Sequence, residues 1–556
     1  MPFNSLQDLI SNRKVWLDST NKNKFNLDNL LAKPYSDPAH FIFELLQNAD
    51  DAGATEVEFE LKSDCFVMRH NAKKNFDLKD IEGVTGIGNS QKKDELMPIG
   101  KFGLGFKSVF AVTNSPIIYS GIYRIMIKDF VLPIQVDGPL SVDGTQIILP
   151  FNNPSISAGK AYEIISRMLI KLEPRTIMFL NNIKEIRRIS VDFNEFISKS
   201  TRNLNKLGEV YVVKIVTHAV KEDYLIFYKH FNIDGAKLKV EIAYKLGRSK
   251  SGKEFILPLE QTSKLVVYLP TEKETLLNFI IQGPYKTTPN RENITLEEEK
   301  NERIINVTSD LVADSIYIVK KMGLLNVEFF KTLPIESEKV ENYIYNKLYE
   351  RIKDEIITGR LIPTLDNKYG TPSEIAIPKN NELVRLLKNN DLWVLFSKKR
   401  WINIEMQHDS NISLRKYLIN VLGVKEIDND DFSEAINEKF LSKKSDNWLH
   451  GFYAYLIKYP SLWKEEGYRS RPILKYKAII RLSTGEMYPP FDSNGKLLVY
   501  LPSKETTRYR TVKKDFMNNI NTEKFLKDLG VIEPDIFSEI DEYILPKYVG
   551  SPLKPD

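Results

Sequence analysis

The sequence predicts a mixed α/β protein, and three stretches predict it. FIFELLQNADDA (residues 41–52) has the apolar spacing of an amphipathic helix. The run that follows, Thr55–Leu61, alternates Val57, Phe59 and Leu61 with charged residues, as a half-buried strand does. IGKFGLGFKSVF (residues 99–110) is a glycine-rich loop leading into apolar residues. Helix, strand and glycine loop in this order describe an α/β sandwich with helices over one face of a mixed sheet.

At 100° per residue, Glu44, Asn48 and Asp51 fall on one stripe of the first helix, while Phe41, Phe43, Leu45, Leu46 and Ala49 form the apolar remainder. Ser36 or Asp37 can cap the first amides and Pro38 suits the first turn, so the helix is expected to start at Pro38. Cys65–Arg69 pairs naturally with the preceding strand as a hairpin. Gly100, Gly103 and Gly105 have GxxGxG spacing just before an apolar helix expected at Phe106–Val112. Without side chains these residues let backbone N–H groups approach phosphate oxygens, and the helix start adds partial positive charge. Further strands are expected within Ser115–Ile127 and at Gln146–Phe151, with Gly144–Thr145 ahead of the second, and NNPSISAG (residues 152–159) reads as a linker.

The ExxxNxxDA stripe, the glycine loop and the late Gly-Thr pair, in this order, resemble the GHKL ATPases, named for gyrase, Hsp90, histidine kinases and MutL. The likeness is closer to Hsp90 and to the ATPase-like repeats of sacsin. It implies a Bergerat-type two-layer sandwich with ATP and Mg²⁺ as cofactors. By the same resemblance Glu44 would deprotonate the attacking water, Asn48 would hold Mg²⁺ and Asp51 would shape the nucleotide floor. Lys92, in the lid-like TGIGNSQKK (residues 85–93), would reach the phosphates. Gly100, Lys101, Phe102, Gly103, Leu104, Gly105 and Phe106 would surround them, and Thr145 would lie near the adenine. Asn71 stands where the family has its adenine-reading aspartate, with Ala72 in place of a glycine. Its carbonyl can accept from the adenine amino group with less charge assistance; the alternative is that Asn71 simply tolerates a tight turn.

Three regions are expected: a nucleotide domain at 1–155, an Hsp90-like middle transducer domain at 156–335 and a mixed C-terminal region at 336–556. The middle region opens with a helix at Tyr162–Leu172, and its strands at Val210–Thr217, Tyr224–His230, Leu238–Tyr244 and Leu265–Leu269 are spaced as an antiparallel meander. FIIQGPYKTTPNREN (residues 279–293) carries an Arg-Glu pair. In Hsp90 such an arginine contacts the terminal phosphate, and Arg291 matches it; a surface pair at a helix start is the competing explanation. Trp393, Trp401, Trp448 and Trp463 mark a C-terminal core or interface. Basic runs at Lys398–Arg400, Tyr468–Lys477 and Arg508–Lys514 are solvated faces or sites for an acidic partner. The last residues, YILPKYVGSPLKPD, read as a loop within a longer parent.

The 556 residues carry 79 basic and 74 acidic side chains, so a net charge of +5 spread over the chain does not indicate nucleic acid. A single cysteine excludes an intrachain disulfide and a Cys-based zinc site, and fits the cytoplasm. No apolar run has the length of a membrane span. The resemblance thus leaves three roles open: a switch or chaperone acting on a protein client or partner subunit, with a homodimer allowed; an ATPase of antiphage defence or another nucleic-acid-linked system; and a nucleotide-binding scaffold without turnover.

Overall fold

A computed structural model describes residues 3–22, 38–86, 105–204, 208–288, 293–295, 298–407, 411–465, 472–503, 509–534, 540 and 544. The chain divides into two compact units, Met1–Lys353 and Asp354–Asp556.

In the first unit, helix α1 (Leu6–Lys22) precedes helix α2 (Phe41–Asp51). Helix α2 starts three residues later than the sequence reading has it, because 38–40 form a turn and His40 supplies no side-chain cap. It ends cleanly: the Gly53 and Ala54 amides return to the Asp50 and Ala49 carbonyls. Strands β1 (Glu56–Leu61) and β2 (Cys65–His70) form the expected antiparallel hairpin. Helix α3 (Leu78–Thr85) opens on a reciprocal cap between Asp77 and Asp80. The residues after the glycine loop form a 3₁₀ helix, Phe106–Ala111, tighter than the α-helix expected there. Strands β3 (Ile117–Ser120), β4 (Tyr123–Lys128), β5 (Leu132–Gln135) and β6 (Thr145–Pro150) follow, and helix α4 (Ala158–Lys171) starts from the Ser157 cap.

Next come β7 (Glu185–Ile189), β8 (Asn194–Asn203), β9 (Val210–Val216), β10 (Lys221–Ile233), β11 (Ala236–Arg248), β12 (Glu254–Leu257), β13 (Lys264–Val267), β14 (Leu269–Glu274), β15 (Ile280–Gln282) and helix α5 (Glu299–Lys321). All described strands of this unit join one mixed sheet, in the order β14-β13-β15-β11-β10-β9-β8-β7-β1-β2-β6-β3-β4-β5, with β12 on β11. The junction is a parallel pairing of β7 with β1, running from Glu56 opposite Glu185 to Glu60 opposite Ile189. The sheet therefore includes strands from both sides of residue 155, where the sequence reading puts a boundary.

One face of this sheet carries the main core. Phe41 of α2 meets Phe66 edge to face at 5.5 Å, and Ile165 and Leu169 of α4 are fully buried with Phe59, Ile186 and Ile197. Near β10 and β11 the opposite face is covered by α5, where Tyr244 and Ser315 share a buried 3.0 Å hydrogen bond.

The second unit has its own core. Ile375–Pro378 lies between Arg400–Trp401 and Lys425–Ile427 in a small parallel sheet. Tyr453 stacks on Phe525 at 5.1 Å, Trp401 and Trp463 are buried, and Trp393 is exposed. In each of the three basic runs at least one cation is engaged internally. Arg400 pairs with Asp366, Lys513 with Asp446, and Lys477 donates to the Ser433, Glu434 and Ile436 carbonyls.

Candidate functional site

Helix α2 sets the geometry. Phe41 sits over Phe66, Leu61 pairs with Phe66 and Val57 with His70, so the C-terminal half of α2 leads toward the Val57–His70 end of the hairpin. Glu44 is buried, whereas Asn48 and Asp51 on the same stripe are exposed. The Glu44 carboxylate stands 3.9 Å from His40 Nε2, one turn back.

The glycine loop meets Glu44 directly. A Cβ placed on Gly105 would lie 2.3 Å from Glu44 Oε2, so only a residue without a side chain lets the loop end approach the carboxylate this closely. Of the loop glycines Gly105 is the one described, and it meets the helix stripe at Glu44. Ser108 turns back to donate to the Gly105 carbonyl at 2.5 Å. Lys107 points inward. Its Nζ is fully buried and donates to the Val84 carbonyl at 2.6 Å and to the Phe130 carbonyl, and burial, with Arg13 nearby, lowers its pKa to about 7. Arg13 of α1 donates to the Glu82 carbonyl at 3.2 Å, so two cations bind the last turn of α3 where the 87–104 segment begins.

At the other end of the site, cross-strand register forms a polar row. Val57 lies opposite His70, His70 opposite Thr145 and Thr145 opposite Ser120. His70, Thr145 and Ser120 are all buried. Thr145 and Ser120 share a 2.7 Å hydrogen bond, and Ser120 Oγ also accepts from the Phe76 amide at 3.0 Å. Gly144, at φ +72°, lies so close to the strand end that a Cβ there would stand 2.0 Å from the His70 carbonyl oxygen. Burial lowers the His70 pKa to about 4. His70 Nδ1 accepts from the Ala72 amide at 3.3 Å, which leaves the ring hydrogen on Nε2.

Asn71 is one residue beyond this row, and its side chain is engaged elsewhere. Its Oδ1 accepts from the Thr55 amide at 2.8 Å and the Glu56 amide at 2.9 Å, and its Nδ2 donates to Thr55 Oγ1 at 2.9 Å. Both lone pairs of the carbonyl that the sequence offers to adenine are occupied, and the tight-turn role is the one this geometry serves. Sequence reasoning passed over His70, although the two-residue period of β2 would have put it on the face of Phe66 and Met68.

Asp50 was also missed. Buried on another side of α2, its carboxylate accepts from the Asn181, Asn182 and Ile183 amides at 2.8, 2.7 and 3.0 Å. It locks α2 to the segment leading into β7. Lys92, Gly100, Lys101, Phe102, Gly103, Leu104 and Arg291 lie outside the described residues. Beside Arg291, Thr287 and Ile294 form an antiparallel bridge, and the Thr288 amide donates to the Asn293 carbonyl at 2.8 Å. Among the described residues no cluster of three or more His, Cys, Asp and Glu side chains is placed to hold a metal ion, and no helix is long and apolar enough to cross a membrane.

Comparison with known proteins places part of this region. A family described as Sacsin domain matches residues 61–134, which include β2, the glycine loop, β3, β4 and most of β5. Human sacsin is 33% identical over 109 residues, 16% of this chain and 2% of sacsin. Protein NO VEIN of Arabidopsis thaliana is 25% identical over 319 residues, 51% of this chain and 11% of that protein. The chain thus spans a small fraction of the length of either relative. A crystal structure of the N-terminal domain of a DNA repair protein superposes with a TM-score of 0.34 at 12% identity, covering 54% of this chain and all of that one.

Proposed function

We propose that the chain binds ATP and hydrolyses it, and uses the nucleotide as a conformational switch acting on a protein client or partner subunit in the cytoplasm. The observation that carries this reading is the contact of the buried Glu44 carboxylate with the backbone of Gly105. A general base must sit within reach of a water attacking the phosphoryl group, and a glycine-loop backbone is what cradles that group. The Sacsin domain match at 61–134, which takes in Gly105 but not Glu44, supports the loop side of it.

In this reading Glu44 accepts the proton of the attacking water. Its place beside the loop end fixes the direction of attack, and His40 Nε2 stands 3.9 Å away. Asn48, exposed one turn on, offers an amide oxygen suited to a hard cation; Mg²⁺, when bound with the nucleotide, neutralises charge between the phosphates. Asp51 borders the nucleotide floor. The base end is the row of His70, Thr145 and Ser120. Because His70 presents an N–H rather than an acceptor, it cannot receive the adenine amino group as an aspartate would, and discrimination between ATP and GTP is expected to be weak.

The test is phosphate release from Mg²⁺-ATP by the full chain, set beside Glu44→Ala. The parent should turn over and the variant should bind ATP without hydrolysing it. A parent that releases no phosphate, or a variant that releases it at the parental rate, overturns the reading.

A further inference from the structure

A cavity lies in the first unit beside the segment whose amides hold Asp50. Residues 178–181, between α4 and β7, form one wall of this cavity of about 470 Å³, whose other walls come from β8, β9 and β11. Three lysines line it, Lys184, Lys199 and Lys239, together with the hydroxyl-bearing Ser200, Thr201 and Tyr211, and among the described residues no carboxylate does. Met178, Phe179 and Leu180 give it an apolar side.

Two of the cations are held there by the fold. Lys199 Nζ donates to the Leu180 carbonyl across the cavity wall. Burial lowers the Lys199 pKa to about 8; Lys239 and Lys184 push the same way, against Asp50 and Glu241. Lys239 pairs with the buried Glu241 at 3.0 Å, and Glu241 is shared with Tyr211 at 2.6 Å and Gln282 at 3.2 Å. Asp50, the other nearby carboxylate, is saturated by the three amides of 181–183. The lining therefore offers donors and positive charge, and the neighbouring negative charge is already hydrogen-bonded. Burial is the leading cost on the Lys199 charge, and a bound anion would offset it.

We propose that this cavity binds a small phosphorylated molecule, its phosphoryl group held by Lys184, Lys199 and Lys239 and its remaining part against the Met178–Leu180 wall. The volume falls within the usual range of small-molecule sites, and flexible lysines with hydroxyls suit a phosphoryl oxygen cluster. The lining shares no residue with the site proposed for ATP. An occupant would brace the segment whose amides hold Asp50.

The test uses the full chain and inorganic pyrophosphate as probe. Lysines are acetylated at constant ionic strength with and without pyrophosphate, and the modified positions are read by mass spectrometry. Labelling of Lys184, Lys199 and Lys239 should slow at least about fivefold, with exposed Lys458 as the unprotected reference. Binding measured by calorimetry should weaken at least about tenfold in a Lys184→Gln/Lys239→Gln variant, which leaves the Lys199 contact in place, and should persist in Asn48→Ala. Equal labelling with and without pyrophosphate overturns the proposal. So does binding that survives the double variant but is lost in Asn48→Ala, which would assign the pyrophosphate to the nucleotide site.

Discussion

The two ends of the proposed nucleotide site are built by different means. At the phosphate end, Glu44 and Gly105 meet because a helix stripe and a glycine spacing coincide, and both are written locally in the chain. At the base end, His70, Thr145 and Ser120 meet because three strands align in one register, and no local motif announces it. Phosphates are alike in every nucleotide and suit a backbone cradle, whereas a base is read by whichever side chain the register turns inward. The phosphate end should therefore tolerate little change, and the base end should tolerate substitution at the cost of selectivity.

The largest effect is expected at the phosphate end, from Arg291→Ala. If its contact forms only in a closed state, turnover should fall by roughly 10³ with nucleotide affinity little changed. Arg187, exposed and paired with Glu185, is the clean control. Arg188 is not, because its buried guanidinium holds the Leu169 carbonyl and Glu195. Parental single-turnover rates in Arg291→Ala would make that residue a surface arginine. Next comes Glu44→Ala, with hydrolysis down at least about a hundredfold and ATP binding nearly intact. Asn48→Ala should instead weaken Mg²⁺-nucleotide binding, and equal affinity in a titration would remove Asn48 from the site.

The base end predicts smaller changes. His70→Asp or His70→Asn supplies an acceptor opposite Thr145 and should shift the ATP over GTP preference by about tenfold in competition binding. Asn71→Asp should leave selectivity where it was and act on stability, since Asn71 Nδ2 donates to Thr55 Oγ1. A selectivity change from Asn71→Asp alone would restore the adenine role to that residue.

The smallest effect is on pH dependence. Unfolded, His70 takes up its proton near the ordinary 6.5; folded, it does so only near 4, because it is buried. Between these values the unfolded chain binds more protons, so stability falls as pH falls through that window. The slope from this one residue is at most about 1.4 kcal/mol per pH unit. Denaturant midpoints of His70→Phe should lack that component, and parallel curves for variant and parent would count against a neutral, buried His70.

How much of this was legible follows the same division. Helix α2, the β1–β2 hairpin and the meander of β9 to β11 were readable, because apolar periodicity is a local property. Strand β8 was not: NEFISKSTRN is polar and becomes a strand because β7 and β9 offer it ladder partners on both sides. Glu44, Asn48 and Asp51 could be grouped from spacing alone. Asp50 could not, because its partners lie more than 130 residues away, at 181 to 183. Nor does anything in GFKSVF announce that the Lys107 ammonium lies inside, bound to carbonyls of two other segments.

The parallel pairing of β7 with β1 has a consequence for cutting the chain. A fragment ending at residue 155 would keep α2, β1 and β2 but strip β1 of its neighbour, leaving a bare row of amides and carbonyls from Glu56 to Glu60. The same cut would remove the amides that satisfy Asp50 and leave a buried charge without its donors. Such a fragment should expose a sticky edge and self-associate, whereas one carried on through Lys353 retains the complete sheet and should remain monodisperse at equal concentration.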